Sequence, residues 1–464
     1  MTTEIKQITD LILQAKEKAY KETSNEPEPG LTEPLNWPVE CTVGPGLEGA
    51  IASETKIGYV NGAKGWLIYR GYDIFDLCAY STFEEVSYLL IHGSLPTQKE
   101  LREFTRDLVR YRTLNKTLRL MMSTPIEEMN AMSALRVGVN YMRRELTCMD
   151  QEAGRPSTED AIGSDEDSIP METVPRGEEH AIYEFKAQYE KKTKEQAQLE
   201  NACDRYAVYH LISGVATITA AIARIQRGLM PIDPDPELSH AGNFLYMMTG
   251  RKPGPVEERI MDIALILHAD HGMNASTFAS MVVASTLSDI YFSVGAGIAA
   301  LSGPLHGGAN EEVIRMLMKI GSPENVKSYM ENAQKTKSKI SGFGHRVYKA
   351  YDPRARILGP LAAFVAQDNP DVSTLFQTAE VLEQGVRTGL GEKKKIFPNV
   401  DFYSGIVYRG MGIAPEIFTP IFAVARVSGW TARVYEYLQN NRIFRPRAMY
   451  TGEFNKEYKS LDQR

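Results

Sequence analysis

Ser302-Gly303-Pro304-Leu305-His306-Gly307-Gly308-Ala309-Asn310-Glu311-Glu312-Val313 follows the most apolar region of the chain, Phe278 to Leu301, and joins it to a new element. Its Gly and Pro residues end the preceding element beside a histidine. After the double glycine a helical pattern resumes, with Val313, Leu317 and Ile320 near one face and Glu311 and Glu312 in the first turn. His306 therefore stands just before a helix N-terminus. Free amide N–H groups and the helix dipole disfavour an imidazolium there, so a neutral ring that donates a hydrogen bond at pH 7 is expected. A histidine in a turn also has a purely structural explanation, and this stretch alone leaves both open.

Working outward, Phe278 to Leu301 contains Ser280, Ser285, Thr286, Ser288 and Asp289, which fits a buried helical hairpin or central helix and not a membrane span. Upstream, helical periodicity runs from Tyr206 through Ile212, Val215, Ile218 and Ile222 to Gly228. Further helices start at Ser239 and near Gly254-Pro255-Val256-Glu257, the latter reaching His268-Ala269-Asp270-His271. Ser81-Thr82-Phe83-Glu84 and Thr97 with Glu100 have capping-box character. The best strand signal is Lys56 to Arg70, where apolar and β-branched residues flank Asn61-Gly62, the pattern of a short hairpin around an Asn-Gly turn. One hairpin against many helices gives an all-α fold, and no repeat or run of βα units points elsewhere.

Residues 1–40 are polar and end Pro-rich, which suggests a loosely attached arm. Residues 152–199 carry acidic clusters, Pro and Gly and then a Lys/Glu/Gln-dense stretch, so they form a candidate solvated insertion. Residues 308–395, entered at Gly307-Gly308 and including a helix start at Ser322-Pro323, form a candidate smaller domain. Its end, Thr388 to Lys395, with a basic run at Lys393 to Lys395, is read as an exposed return. The larger domain would then comprise 1–307 and 396–464.

The formal net charge of −7 argues against a general affinity for nucleic acid and leaves small molecules or protein subunits as partners. Cys41, Cys78, Cys148 and Cys203 are far apart and lack metal-ligand spacing, so they are expected to be reduced in a cytoplasmic protein. No signal peptide is visible at the N-terminus. His268 and His271 flank Asp270 without the helical spacing of a zinc site, and no metal is expected.

Two more clusters join His306. Ser341-Gly342-Phe343-Gly344-His345-Arg346-Val347-Tyr348-Lys349 combines glycines that permit close backbone approach with cations, and Tyr351-Asp352-Pro353-Arg354 ends in a guanidinium able to grip a carboxylate with two prongs. A tight structural turn would account for the glycines alone. Asn399-Val400-Asp401 precedes a helix, so Asp401 is either its cap or a general base. Phe422 and Arg426 lie one helical turn apart and can line one pocket, and Arg445-Pro446-Arg447 is a further anion-binding candidate.

The motifs LHADHG, GPLHGGANEEV, GFGHRVYKAYDPR and NVDFYSG occur in this order at wide intervals, and together they resemble the citrate synthase family, including its 2-methylcitrate synthase group. The likeness runs from Lys56 to Tyr450 apart from the 152–199 segment. It implies a helical homodimer whose cleft closes on oxaloacetate and an acyl-CoA, with no tightly bound cofactor. It implies that Asp401 removes a proton from the thioester methyl, that His306 is the neutral acid supporting the enol, and that His345 serves the ketone oxygen. His271, Arg354, Phe422 and Arg426 would bind oxaloacetate, with Arg445 reaching across from the other subunit. Gly342, Phe343, Gly344 and Lys349 would meet coenzyme A. The implied reaction is condensation of acetyl-CoA with oxaloacetate to citrate. Propionyl-CoA specificity and a catalytically silent metabolite-binding homologue are the alternatives.

Overall fold

The computed structural model describes residues 2–28, 36–152, 205–367, 369–388, 396–454, 456–458 and 460–463. All but the first residue of the candidate insertion at 152–199, and all but the first residue of the return at 388–395, lie outside the described residues. The described chain is helical: α1 (Thr3–Glu22), α2 (Ile74–Tyr80), α3 (Phe83–His92), α4 (Gln98–Arg110), α5 (Asn115–Met122), α6 (Ala131–Glu152), α7 (Arg205–Ile225), α8 (His240–Thr249), α9 (Pro255–His268), α10 (Ala275–Ser285), α11 (Ile290–Leu301), α12 (Ala309–Ile320), α13 (Val326–Thr336), α14 (Pro353–Ala366), α15 (Pro370–Val386), α16 (Val400–Gly410) and α17 (Phe418–Leu438). A small antiparallel sheet of β1 (Gly58–Asn61), β2 (Trp66–Tyr69) and β3 (Tyr72–Asp73) precedes α2.

Two helices form the centre. In α7 every residue from Ala207 to Ala223 is buried, and in α17 every residue from Phe418 to Val434 is. A helix apolar on all sides has no solvent face and must be enclosed by others. Length and hydropathy would also let α7 cross a membrane, but 94% of its most apolar window is buried inside the molecule. The hairpin foreseen at Phe278 to Leu301 is α10 and α11, packed on each other and on α17, with Asp289 capping α11 through Tyr291 and Phe292 N–H. Gly297 of α11 leaves room for the ring of Trp430, which a Cβ would approach to 3.1 Å. Trp430 is fully buried, and trimming such a side chain to alanine costs about 3–5 kcal/mol.

Several local expectations shift. The loosely attached arm is in large part helix α1: Ile8, Ile12 and Ala19 form a buried stripe against α2 and α14, pinned by Lys16 to Asp76 (2.6 Å) and by Glu22 to Arg356. Its periodic apolar positions outweigh its polar composition. The hairpin is present, but its loop is Gly62 to Gly65, not a two-residue Asn-Gly turn, and a third strand follows. The Asn61 side-chain oxygen accepts from Ala63 and Lys64 N–H, which tightens this longer loop. The cap of α3 is Thr82, one residue later than the Ser81 pattern suggests, because Ser81 already terminates α2. The Thr97–Glu100 box forms as read, with bonds of 2.8 and 3.3 Å.

Within the candidate smaller domain, α12, α14 and α15 all pack on α16. The helix that carries Asp401 is thus seated among 309–386, while α17 returns to the larger body of helices.

Candidate active site

The loop between α9 and α10 carries His271, and buried polar contacts fix its course. Asp270 is fully buried and receives Arg433 of α17 on both oxygens, at 2.6 and 2.8 Å. Burial alone would raise the Asp270 pKa, but Arg433 and its hydrogen bonds hold the carboxyl below its usual range. Tyr69 of β2 donates to the Asp270 carbonyl at 2.8 Å and accepts from its N–H at 3.1 Å. Gly429 lets α17 come this close, since a Cβ there would lie 2.2 Å from the Ala269 carbonyl oxygen. The His271 ring consequently stands 3.1 Å from the Tyr348 hydroxyl, with its centroid 5.2 Å from that of His345.

His306 lies in the turn between α11 and α12, half-buried. Its Nε2 accepts the backbone N–H of Ser276 at 3.2 Å and sits 2.8 Å from the Ser276 hydroxyl. Ser276 is the second residue of α10, whose cap is Asn274. One of the unpaired amides of that first turn thus finishes on the imidazole. A backbone N–H can only donate, so Nε2 must be the acceptor and the ring proton resides on Nδ1. Burial, reinforced by the charge of Arg426, pushes the His306 pKa down to about 4. The neutral ring expected from sequence is present, but the amide that reaches it belongs to α10 and not to the helix that follows it.

His345 has the opposite tautomer. Its Nδ1 accepts from the N–H groups of Val347 (3.0 Å) and Tyr348 (3.2 Å), which leaves the proton on Nε2. Burial and the charge of Arg354 lower its pKa to about 4. The Gly342-Phe343-Gly344 segment before it is stitched to the residues that lead into α16: Gly344 N–H donates to Phe397 O (2.9 Å), Asn399 N–H to Gly342 O (2.9 Å), and Asn399 Nδ2 to Gly344 O (3.1 Å). Gly342 has φ of 82°, and a Cβ on it would meet Phe402 and Val313 at 2.7 Å, so only glycine fits.

Asp401 is the second residue of α16. The capping role falls to Asn399, whose side chain accepts from Asp401 N–H at 3.1 Å. This leaves the Asp401 carboxylate free of cap duty. Its pKa is raised to about 6, because burial outweighs the pull of Arg354 and Arg426. It is therefore a stronger base than an ordinary aspartate and still mostly ionised at neutral pH.

The two arginines differ. The fork of Arg354 is occupied by Asp352, with Nε to Oδ1 at 3.0 Å and Nη2 to Oδ2 at 2.8 Å, both side chains buried. Arg426 donates Nε to His268 O at 2.6 Å and lies 4.8 Å from the Phe422 ring, while its buried Nη2 has no protein partner. An unpaired buried guanidinium nitrogen is costly unless an acceptor arrives. Burial lowers the Arg426 pKa to about 10, which leaves it charged at neutral pH. The site thus holds two cations, three imidazoles, of which His306 and His345 carry their protons on opposite nitrogens, and one basic carboxylate. Such a set can bind carboxylates, donate hydrogen bonds to two oxygens and accept one proton.

Lys349 is exposed, and its backbone N–H donates to Gly62 O (2.8 Å) at the hairpin loop. Arg445 is exposed in the extended segment after α17, and its Nη1 donates to Pro446 O at 3.5 Å. Among the described residues no group of three or more His, Cys, Asp or Glu is placed to hold a metal. Ser276, Asp352, Asn399 and the Asp270–Arg433 pair were not singled out from sequence. Asn274-Ala275-Ser276 is a legible helix start, but nothing local connects it to a histidine thirty residues on.

A sequence model of the citrate synthase family, described as its C-terminal domain, matches residues 46–447. The citrate synthase of Deinococcus radiodurans is 40% identical over 419 residues, covering 90% of this chain and 98% of that protein. Among solved structures, citrate synthase from Pyrobaculum aerophilum has a TM-score of 0.72 at 40% identity, covering 94% of this chain and all of that one. The citrate synthase of Thermoplasma acidophilum in ternary complex with carboxymethyl coenzyme A and oxaloacetate has a TM-score of 0.73 at 31% identity, covering 89% and 97%.

Proposed function

The chain belongs to the citrate synthase family, and from that membership we propose that it condenses acetyl-CoA with oxaloacetate and water to give citrate and CoA, with Asp401, His306 and His345 dividing the proton transfers. The observation that carries the assignment is the opposite hydrogen bonding of the two imidazoles, which share with Asp401 the fields of Arg354 and Arg426.

Asp401 takes a proton from the thioester methyl group while Nδ1–H of His306 donates to the thioester carbonyl oxygen, where negative charge develops. Neutral histidine suits this task, since the ring stays a donor without needing to lose a proton first. The enol carbon then bonds to the ketone carbon of oxaloacetate, and Nε2–H of His345 serves the oxygen that becomes a hydroxyl. Water cleaves the C–S bond of the resulting citryl-CoA, releasing citrate and the CoA thiol. Arg426, with its free Nη2, and Arg354, through the Nη1 that Asp352 does not engage, hold the oxaloacetate carboxylates, and His271 and Phe422 complete that wall. The backbone of Gly342 to Gly344 and the exposed Lys349 face coenzyme A.

The active unit is a dimer in which Arg445 serves the partner's cleft, consistent with its exposure. Residues 308–395 act as the smaller domain and close over the reactants, excluding water. One methyl group in an apolar pocket discriminates by only about 1–3 kcal/mol, so acyl specificity is the finest part of the assignment. Side-by-side kcat/KM for acetyl-CoA and propionyl-CoA with oxaloacetate tests it; preference for propionyl-CoA would replace citrate by 2-methylcitrate as the product. Oxaloacetate binding without thiol release from either thioester would leave a silent binding protein.

A further inference from the structure

Glu383 lies near the end of α15, outside the set of groups that meet substrate, and both of its carboxylate oxygens are engaged by tyrosines. Tyr351 donates to Oε1 at 2.9 Å and Tyr403 donates to Oε2. Each tyrosine adjoins a residue of the mechanism. Tyr351 directly precedes Asp352, which grips Arg354 and caps α14 through Arg354 N–H at 3.0 Å. Tyr403 follows Asp401 by two residues in the first turn of α16. One buried carboxylate thus spans the arginine-bearing loop and the helix that carries the base.

Neighbouring rings hold these tyrosines on one side, with Phe402 5.0 Å from Tyr403 and edge-on to it and Phe397 5.9 Å from Tyr351, but not on the other. Tyr351, Glu383 and Tyr403 all line a cavity of about 380 Å³, so on that side no side chains press against them. On the other sides Tyr403 rests on Gly359 of α14, where a Cβ would come within 3.3 Å of the ring, and Tyr351 is flanked by the guanidinium of Arg356 at 4.5 Å from its centroid. Arg387 approaches Glu383 Oε1 at 3.4 Å. Burial and the neighbouring Glu383 push both phenol pKa values far up, so each tyrosine remains a donor throughout the working pH range.

We propose that Glu383 is a positioning residue that sets Asp401 relative to Arg354 by holding Tyr351 and Tyr403 on its two oxygens. This rests on the assignment of Asp401 as the base. Substitution by glutamine retains the shape but offers one acceptor oxygen and one NH₂ to two O–H donors, so one tie must be lost or reversed. Displacement of a reacting group by about 1 Å can cost about 100-fold in rate.

The test is steady-state kinetics of the full-length E383Q, Y403F and D401N proteins, with oxaloacetate affinity by calorimetry and the pH dependence of kcat/KM for acetyl-CoA. E383Q should fold, keep oxaloacetate affinity within about threefold, lose kcat by about 10- to 100-fold, and shift the acid limb of its pH profile, because Asp401 then sits differently against the arginines. Y403F, which removes one donor and keeps the ring, should lose about 3- to 10-fold in kcat and decides the matter if E383Q does not fold. E383D, which restores the charge on a shorter stem, should recover part of the loss. E383Q or Y403F with kcat within twofold of wild type and an unchanged profile overturns the proposal, as does lowered thermal stability with intact kinetics. An active D401N would instead overturn the base assignment itself, and the two failures are therefore distinguishable.

Discussion

Replacing Asp401 by asparagine should make the protein both inactive and more stable at neutral pH. The carboxyl pKa rises from an ordinary 3.8 to about 6 in the folded state, mainly through burial, despite two nearby arginines. A folded-state pKa above the unfolded one means that the group favours folding most below about pH 4, where it is protonated in both states. That contribution is lost as pH rises through about 6, where the folded carboxyl must ionise in its buried position. Two pH units correspond to about 3 kcal/mol, an upper bound because the group is only partly shielded from water. Asparagine has nearly the same shape and no charge, and since Asn399 and not Asp401 caps α16, no cap is lost. Denaturant unfolding of wild type and D401N at pH 8, and again near pH 4, should show D401N more stable by about 1–3 kcal/mol at the higher pH and the gap closing at the lower. Deuterium exchange from labelled acetyl-CoA and citrate formation should both fall by several powers of ten, while oxaloacetate binding persists. A D401N protein less stable than wild type at pH 8, or one that still exchanges and turns over, would refute the placement of a strained, basic carboxylate at 401.

With the His306 and His345 pKa values lowered to about 4, kcat/KM for acetyl-CoA should fall tenfold per pH unit between about pH 6 and 4 with a single slope, which reports Asp401; a limb at pH 7 or above would point to a histidine. Gly342→Ala should cost at least about 1–3 kcal/mol and lower kcat, because the new methyl overlaps Phe402 and Val313 in a left-handed backbone; an unaffected melting temperature would show that the loop can move. If Arg445 acts in the partner's cleft, R445A and D401N dimers should each be nearly inactive, and random subunit exchange between them should restore about a quarter of wild-type activity by making mixed dimers with one complete site. No recovery after verified exchange would return Arg445 to a role within its own chain.

Sequence and structure agree where the physics is local. The Thr97–Glu100 capping box, the α10–α11 hairpin and the start of α9 at Gly254-Pro255 are each set by residues within a turn or two of one another. The stripe of Ile8, Ile12 and Ala19 on α1 is lost in the reading of residues 1–40 as a loose arm, because the polar residues around it mask its docking surface on α2 and α14. Within the candidate site, the residues with chemistry are visible in the motifs. What orients them is not, because Ser276 meets His306, Arg433 meets Asp270, and Glu383 meets Tyr351 only after helices distant in sequence have packed.

The stitching of Gly342–Gly344 to Phe397–Asn399 has a mechanical consequence. His345 and Asp401 ride on segments joined by three hydrogen bonds, whereas His306 is moored to the first turn of α10. In the proposed mechanism the acid and the base of enolisation therefore sit on different moorings, whereas His345 and Asp401 share one. Sliding of α10 past the stitched segments would change the first spacing and leave the second as the three bonds set it, so enolisation would be armed or disarmed along one coordinate without resetting the groups that serve carbon–carbon bond formation.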